Sequence, residues 1–134
     1  MTGTHLSEAF GATIQEIESD GFTADHRVAI LDGDGPDIGG DDAAAATRAL
    51  ARALEGVGAV LATRPPDLML VLGDRYEILG AVTAAALAGV PVAHLCGGDI
   101  TEGAIDDAIR HAITKMSHLH FVTNAEAAAR LRQM

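Results

Sequence analysis

Five consecutive apolar residues, Leu68 to Leu72, interrupt an otherwise mixed chain and predict a strand covered on both faces by helices. Gly73 turns the backbone, so that Asp74 and Arg75 fall at the strand's carboxyl end, just before an Ala-rich helix reaching about Ala88 and stopped by Gly89. Val90 to His94 reads as a second short strand, with Pro91 tolerable among its first residues, and Cys96-Gly97-Gly98-Asp99 as its exit loop. A helix from about Ile105 to Met116, a third strand at His120 to Thr123, Asn124 as helix N-cap and a final helix to the terminus complete a βαβαβα unit. Upstream, Phe10, Thr13/Ile14 and Ile17 have helical spacing within Leu6 to Ser19, with Ser7 as a candidate cap. Val28 to Leu31 predicts another strand, Asp32 to Asp41 a polar, mobile surface loop, and Asp42 to Ala62 a long helix ending ahead of Arg64-Pro65-Pro66.

This alternation predicts an α/β fold with a Rossmann-like parallel sheet. The 134 residues suit one domain, and 49% hydrophobic residues supply a core. A net charge of −10, with nine Lys and Arg spread along the chain, argues against a nucleic-acid partner. The single cysteine, Cys96, excludes an internal disulfide and suits a reducing, cytoplasmic setting. No apolar stretch reaches membrane-spanning length, no signal peptide is expected ahead of the first helix, and neither repeats nor an interdomain linker are visible.

Asp74, Arg75, Glu77, His94, Asp99, Asp106, Asp107, Arg110 and His111 gather where predicted strands open into helix N-termini, the usual place for chemistry in this class. From spacing alone, Asp74 serves equally well as a helix cap or as a catalytic group. Gly97-Gly98 reads as a tight turn sooner than a phosphate cradle, and no GxGxxG occurs. Arg110 and Lys115 behind Asp106 and Asp107 also satisfy a helix dipole without any further role. His118 and His120 alternate on a strand and suit packing or surface positions; their spacing makes no zinc site. Two rival readings stay open. Asp32-Gly33-Asp34 after an apolar strand has the D-x-D form by which some nucleotide-sugar transferases hold a divalent metal, although a Gly/Asp-rich loop produces it easily, and Ala43 at the twelfth position rules out an EF-hand. An apolar surface near Val82 to Leu87 would instead suit a non-catalytic interaction module.

The runs VLGDRYEI (Val71 to Ile78), AHLCGGDITEGAIDDAIRHAITKMSHLHF (Ala93 to Phe121) and TGTHLSEAFGATIQEIESDGF (Thr2 to Phe22) resemble the UDP-N-acetylglucosamine 2-epimerases. The likeness is greatest to the hydrolysing branch that forms N-acetylmannosamine or a related product for sialic-acid-type sugars, with the non-hydrolysing epimerases as the alternative. The resemblance implies a double-Rossmann enzyme of glycosyltransferase-B-like architecture that eliminates UDP across C1 and C2 and then adds water to the glycal. It implies a UDP-N-acetylglucosamine or related UDP-acetamido-sugar partner, no cofactor, no metal and a homo-oligomer. Catalytic roles fall by motif match on Asp74 and Asp106, with Cys96 and Asp99 as further catalytic positions. Substrate contacts fall on His5, Arg75, His94, Gly97, Gly98, Asp107, Arg110 and His111. Two departures stand out: Cys96 replaces the family's Glu or His, and Asp99 replaces the Glu of its usual GGE.

The resemblance also implies that residues 1–134 form a partial N-terminal domain, without the first strand-helix-strand and without the C-terminal UDP-binding domain. With strand order 3-2-1-4-5-6, the Val28 to Leu31 strand would then lack its neighbours. Leu68 to Gln133 is accordingly expected to form the firm unit, with Thr2 to Ala62 packed on it more loosely and copies of the chain associating.

Overall fold

A computed structural model describes residues 1–31, 43–102 and 105–134. Asp32, Gly33 and Asp34, and with them the D-x-D reading, lie outside these residues, as do Gly103 and Ala104 of the longest motif. The helices are α1 (Ile14–Ser19), α2 (Ala43–Thr63), α3 (Tyr76–Ala88), α4 (Ile105–Met116) and α5 (Ala125–Leu131), and the strands β1 (Met69–Leu72), β2 (Val92–Leu95) and β3 (Leu119–Phe121). The three strands form one parallel sheet in the order β1-β2-β3, which is the predicted βαβαβα unit. Among the described residues no helix is long and apolar enough to cross a membrane.

Register sorts the sheet into two faces. Val71 and Val92 point to the side where α3 and α4 lie, and join Val82, Ile109 and Ile113 in the main core. Leu70, Ala93 and Leu119 form one row on the opposite side, and Leu72, Leu95 and Phe121 form the next. Leu70, Leu72, Leu119 and Phe121 in those rows are exposed.

Local chemistry sets most boundaries. Helix α3 ends in a Schellman turn, with Gly89 at φ 71°, Gly89 N–H donating to Ala86 O and Val90 N–H to Ala85 O. That commitment of Val90, together with the missing N–H of Pro91, delays β2 to Val92, two residues after its predicted start. Asn124 caps α5 by accepting a hydrogen bond from Ala127 N–H.

Five expectations are corrected. The helix expected over Leu6 to Ser19 is reduced to α1 preceded by two 3₁₀ turns, because Gly11 and Ala12 take positive φ, 83° and 44°. Ser7 Oγ accepts no capping hydrogen bond; its hydroxyl is buried and lacks a partner among the described residues. Val28 to Leu31 is not a strand of the sheet but a single parallel bridge from Val28 to Thr2. Among the described residues no strand of the sheet lies beside it, and the segment packs on α2, Ile30 against Ala49 and Ala53, and Val28 where Gly56 leaves room. Helix α2 is no loose appendage. Ala53 is fully buried and an added Cβ at Gly80 of α3 would fall 2.9 Å from Ala53 Cβ, so the two helices approach through small residues. The Val82 to Leu87 surface is core over its first part as well, since Val82, Ala84 and Ala85 are buried, and only its far end, Ala86 and Leu87, is exposed.

Candidate active site

A cavity of about 330 Å³ forms at the carboxyl end of β1, between the first 3₁₀ turn and the start of α3, lined by His5, Gly73, Asp74, Arg75 and Glu77 among others. Gly73, at φ 87°, makes the sharp exit from β1 that a side chain would resist, and so brings Asp74 and Arg75 to the cavity wall. His5 arrives on the first 3₁₀ turn, its Nδ1 2.7 Å from Thr13 Oγ1. Three predicted residues separated by up to 70 positions therefore share one wall.

Arg110 holds Asp74 from behind the cavity. It reaches from α4 to pair with Asp74 Oδ2, donates to Asp99 O at 2.9 Å and donates to Thr101 Oγ1 at 2.9 Å. Arg110 is buried, so this carboxylate partnership is shielded from water and costs several kcal/mol to break from one side. Asp107 Oδ1 accepts from Thr101 N–H at 3.1 Å, and its Oδ2 lies 3.6 Å from His111 Nε2. His111 Nδ1 is buried without a partner among the described residues. Asp106 stands four residues before Arg110, on the α4 face that Arg110 uses to reach Asp74, and makes no hydrogen bond among the described residues.

The exit loop of β2 is shaped by packing. Cys96 holds φ 65°, unusual for a residue with a side chain, while its N–H donates to Phe121 O. An added Cβ at Gly97 would meet Thr114 Oγ1 at 2.9 Å, and one at Gly98 would meet Ala127 O at 2.6 Å, so both glycines answer to close approach, as a tight turn requires. The Asp99 carboxylate turns to the β3–α5 junction, accepting from Thr123 Oγ1 at 2.6 Å, while its backbone carbonyl serves Arg110. His94 lies beneath the site, fully buried, and burial lowers its pKa against a smaller opposing effect of its bond to Gly73 O.

Two contributors, Thr101 and Thr114, escaped the sequence reading of the site, and Glu77 figures in its ionisable cluster without a role. Glu77 accepts from Arg75 Nε at 2.7 Å, its side chain only 12% exposed and its Oε2 buried without a partner among the described residues. Burial alone would lower the Arg75 pKa, but the Glu77 carboxylate, helped to a smaller extent by Tyr76, turns the net shift upward. Thr101 joins Arg110 to Asp107, and Thr114 lies under His94. Glu77 sits inside the GDRYE run and Thr114 one turn after Arg110, signals that only a known cavity wall makes specific. Among the described residues no group of three or more His, Cys, Asp or Glu is placed to hold a metal ion.

Comparison with known proteins agrees in fold and in sequence. The solved UDP-GlcNAc 2-epimerase of Neisseria meningitidis, bound to UDP-GlcNAc, superposes with a TM-score of 0.78 at 20% identity over 98% of this chain and 34% of that one. That of Methanocaldococcus jannaschii gives 0.74 at 18% identity, over 92% of this chain and 32% of that one. At such identities the likeness shows the fold alone, and it is the glycosyltransferase-B-like type. In sequence, the hydrolysing GDP/UDP-N,N'-diacetylbacillosamine 2-epimerase of Campylobacter jejuni is 41% identical over 99% of this chain and 33% of its own. The corresponding UDP-N,N'-diacetylbacillosamine 2-epimerase of Legionella pneumophila is 36% identical over 100% of this chain and 34% of its own. This chain spans about a third of the length of these curated relatives. The family model for UDP-N-acetylglucosamine 2-epimerase matches residues 1–134, from the first 3₁₀ turn through the Asp74–Arg110 pair to α5, and the chain belongs to that family.

Proposed function

We propose that this chain supplies the acid–base half of a hydrolysing 2-epimerase acting on a UDP-2-acetamido sugar, which eliminates UDP and hydrates the resulting glycal. The reading is carried by Asp74, which lines the cavity while Arg110 holds it from behind. A C2 proton with no adjacent carbonyl yields only to a positioned base, and a departing diphosphate needs charge or a proton in place. Asp74 serves as that base: only its Oδ2 is engaged among the described residues, and pairing with Arg110 fixes its direction. Asp106, on the Arg110 face of α4, is the second acid–base group. Arg75, anchored by Glu77 at Nε, presents its terminal nitrogens to the leaving diphosphate. Asp99, with its carboxylate turned to Thr123, and Cys96 shape the loop between them.

The Campylobacter and Legionella sequence relatives named above are diacetylbacillosamine epimerases of the hydrolysing kind, which supports a diacetamido sugar ahead of UDP-N-acetylglucosamine, and hydrolysis ahead of simple inversion. The domain plan proposed with it is a partial N-terminal Rossmann-like domain working against a second, UDP-binding domain. The test is a chimera in which this chain replaces the matching third of the Campylobacter relative, assayed for UDP release from both UDP sugars. Release of UDP with formation of free 2-epimeric sugar is expected. A UDP-linked product would favour the non-hydrolysing reaction, and an inert chimera that folds would defeat the proposal.

A further inference from the structure

His94 has no exposed surface, yet neither ring nitrogen is idle. Nε2 lies 2.8 Å from the Gly73 carbonyl oxygen, which can only accept, so the proton is on Nε2. Nδ1 is then a bare acceptor in a neutral ring, and Thr114 Oγ1, 3.2 Å away, donates to it. Gly97 closes over this pair: a Cβ there would fall 3.0 Å from Nδ1 and 2.9 Å from the Thr114 hydroxyl, leaving the ring no second seat. Burial lowers the His94 pKa, which keeps the ring in this neutral form.

The contacts form a circuit. Gly73 immediately precedes Asp74; Asp74 pairs with Arg110; Arg110 and Thr114 are one turn apart on the same face of α4; Thr114 bonds His94; and His94 returns to Gly73. Gly73 is the flexible link, at φ 87° and without a side chain to hold it. We infer that His94 and Thr114 are positioning residues, a buried strut that fixes the Gly73–Asp74 turn to α4 and so sets the Asp74 carboxylate against Arg110. Both side chains are buried. The strut's consequence for turnover rests on the role proposed for Asp74, but its existence does not.

The test is nitrogen NMR on the whole 134-residue chain. In the unsubstituted protein the His94 ring should show a protonated Nε2 and a bare Nδ1, and Arg110 should give resolved guanidinium N–H signals, as expected of a held group. His94→Ala should abolish the resolved Arg110 signals while the backbone amide fingerprint stays dispersed. His94→Gln, whose amide can donate to Gly73 O, should restore them. Thr114→Val, which keeps the shape and removes the hydroxyl, should broaden the Arg110 signals and serves as the decisive variant if His94→Ala does not fold. The opposite tautomer, or Arg110 signals untouched in both folded variants, would overturn the strut. An inactive epimerase chimera alongside an intact NMR circuit would count against the functional reading alone.

Discussion

Cys96 shows how much a single residue's backbone state matters here. A left-handed φ costs about 1–2 kcal/mol for a residue with a Cβ, and replacing it with glycine gives back roughly 0.5–1 kcal/mol in unfolded-chain entropy. Cys96→Gly should therefore stabilise the chain by about 0.5–1 kcal/mol, read as a rise in Tm of a few degrees; an unchanged or lower Tm would mean that the thiol's contacts matter more than the strain. Asp74→Asn in the chimera should lower turnover at least about a hundredfold, the scale of a lost positioned acid or base, and near-normal UDP release would remove Asp74 from the mechanism. His94 gives a pH prediction. Its folded pKa lies below the ordinary 6.5, so the unfolded chain takes up the proton first, and stability present above pH 6.5 is lost as pH falls towards the folded value. Denaturation midpoints at pH 7 and pH 5 should fall more steeply in the parent than in His94→Gln, and equal slopes would show that the ring is not neutral when folded. At this scale Asn124 was legible, because a cap and its acceptor lie three residues apart. The buried position of His94 was not, because a strand histidine reads alike whether it faces solvent or a helix.

Helix α4 has its predicted limits, Ile105 and Met116, because its apolar stripe and acidic first turn are written within the segment itself. The predicted helix from Leu6 failed at Gly11 and Ala12, where the chain bends to carry His5 towards Asp74. Spacing of apolar residues cannot register such a bend. The α2–α3 contact was hidden for a related reason: Ala53 and Gly80 are unremarkable singly and decisive only when opposed. A leucine at Gly80 would have its first carbon 2.9 Å from Ala53 Cβ and 3.0 Å from Leu50 O, and backbone cannot yield as a side-chain tip can. Gly80→Leu should cost about 2–3 kcal/mol in urea denaturation, with loss of less than about 0.5 kcal/mol indicating that α2 can slide away.

Across the whole molecule the unbalanced feature is the sheet face carrying Leu70, Leu72, Leu119 and Phe121, with Leu70 and Leu72 each 63% exposed. Large apolar side chains in register on a strand at the sheet's edge favour association. The isolated chain should self-associate, seen as a light-scattering mass above the monomer's that rises with concentration. Paired Leu70→Lys and Leu72→Lys should return it to monomer while the far-ultraviolet spectrum is kept. A parent chain that is monomeric at every concentration would show that this face tolerates water.

From β1 onward, the order of strands and helices, the Gly89 stop, the Asn124 cap, and the family to which the motifs belong were determined by sequence alone, since each depends on residues a few positions apart or on a continuous run. Tertiary structure decided the rest. Asp74 meets Arg110 across 36 positions, Glu77 is enclosed beneath Gly3, and Val28 to Leu31 abandons the sheet for α2. Those outcomes follow from strand register, helix crossing and the presence or absence of a neighbouring strand. Such long-range terms balance over the whole fold and leave no periodic trace in the segments they join.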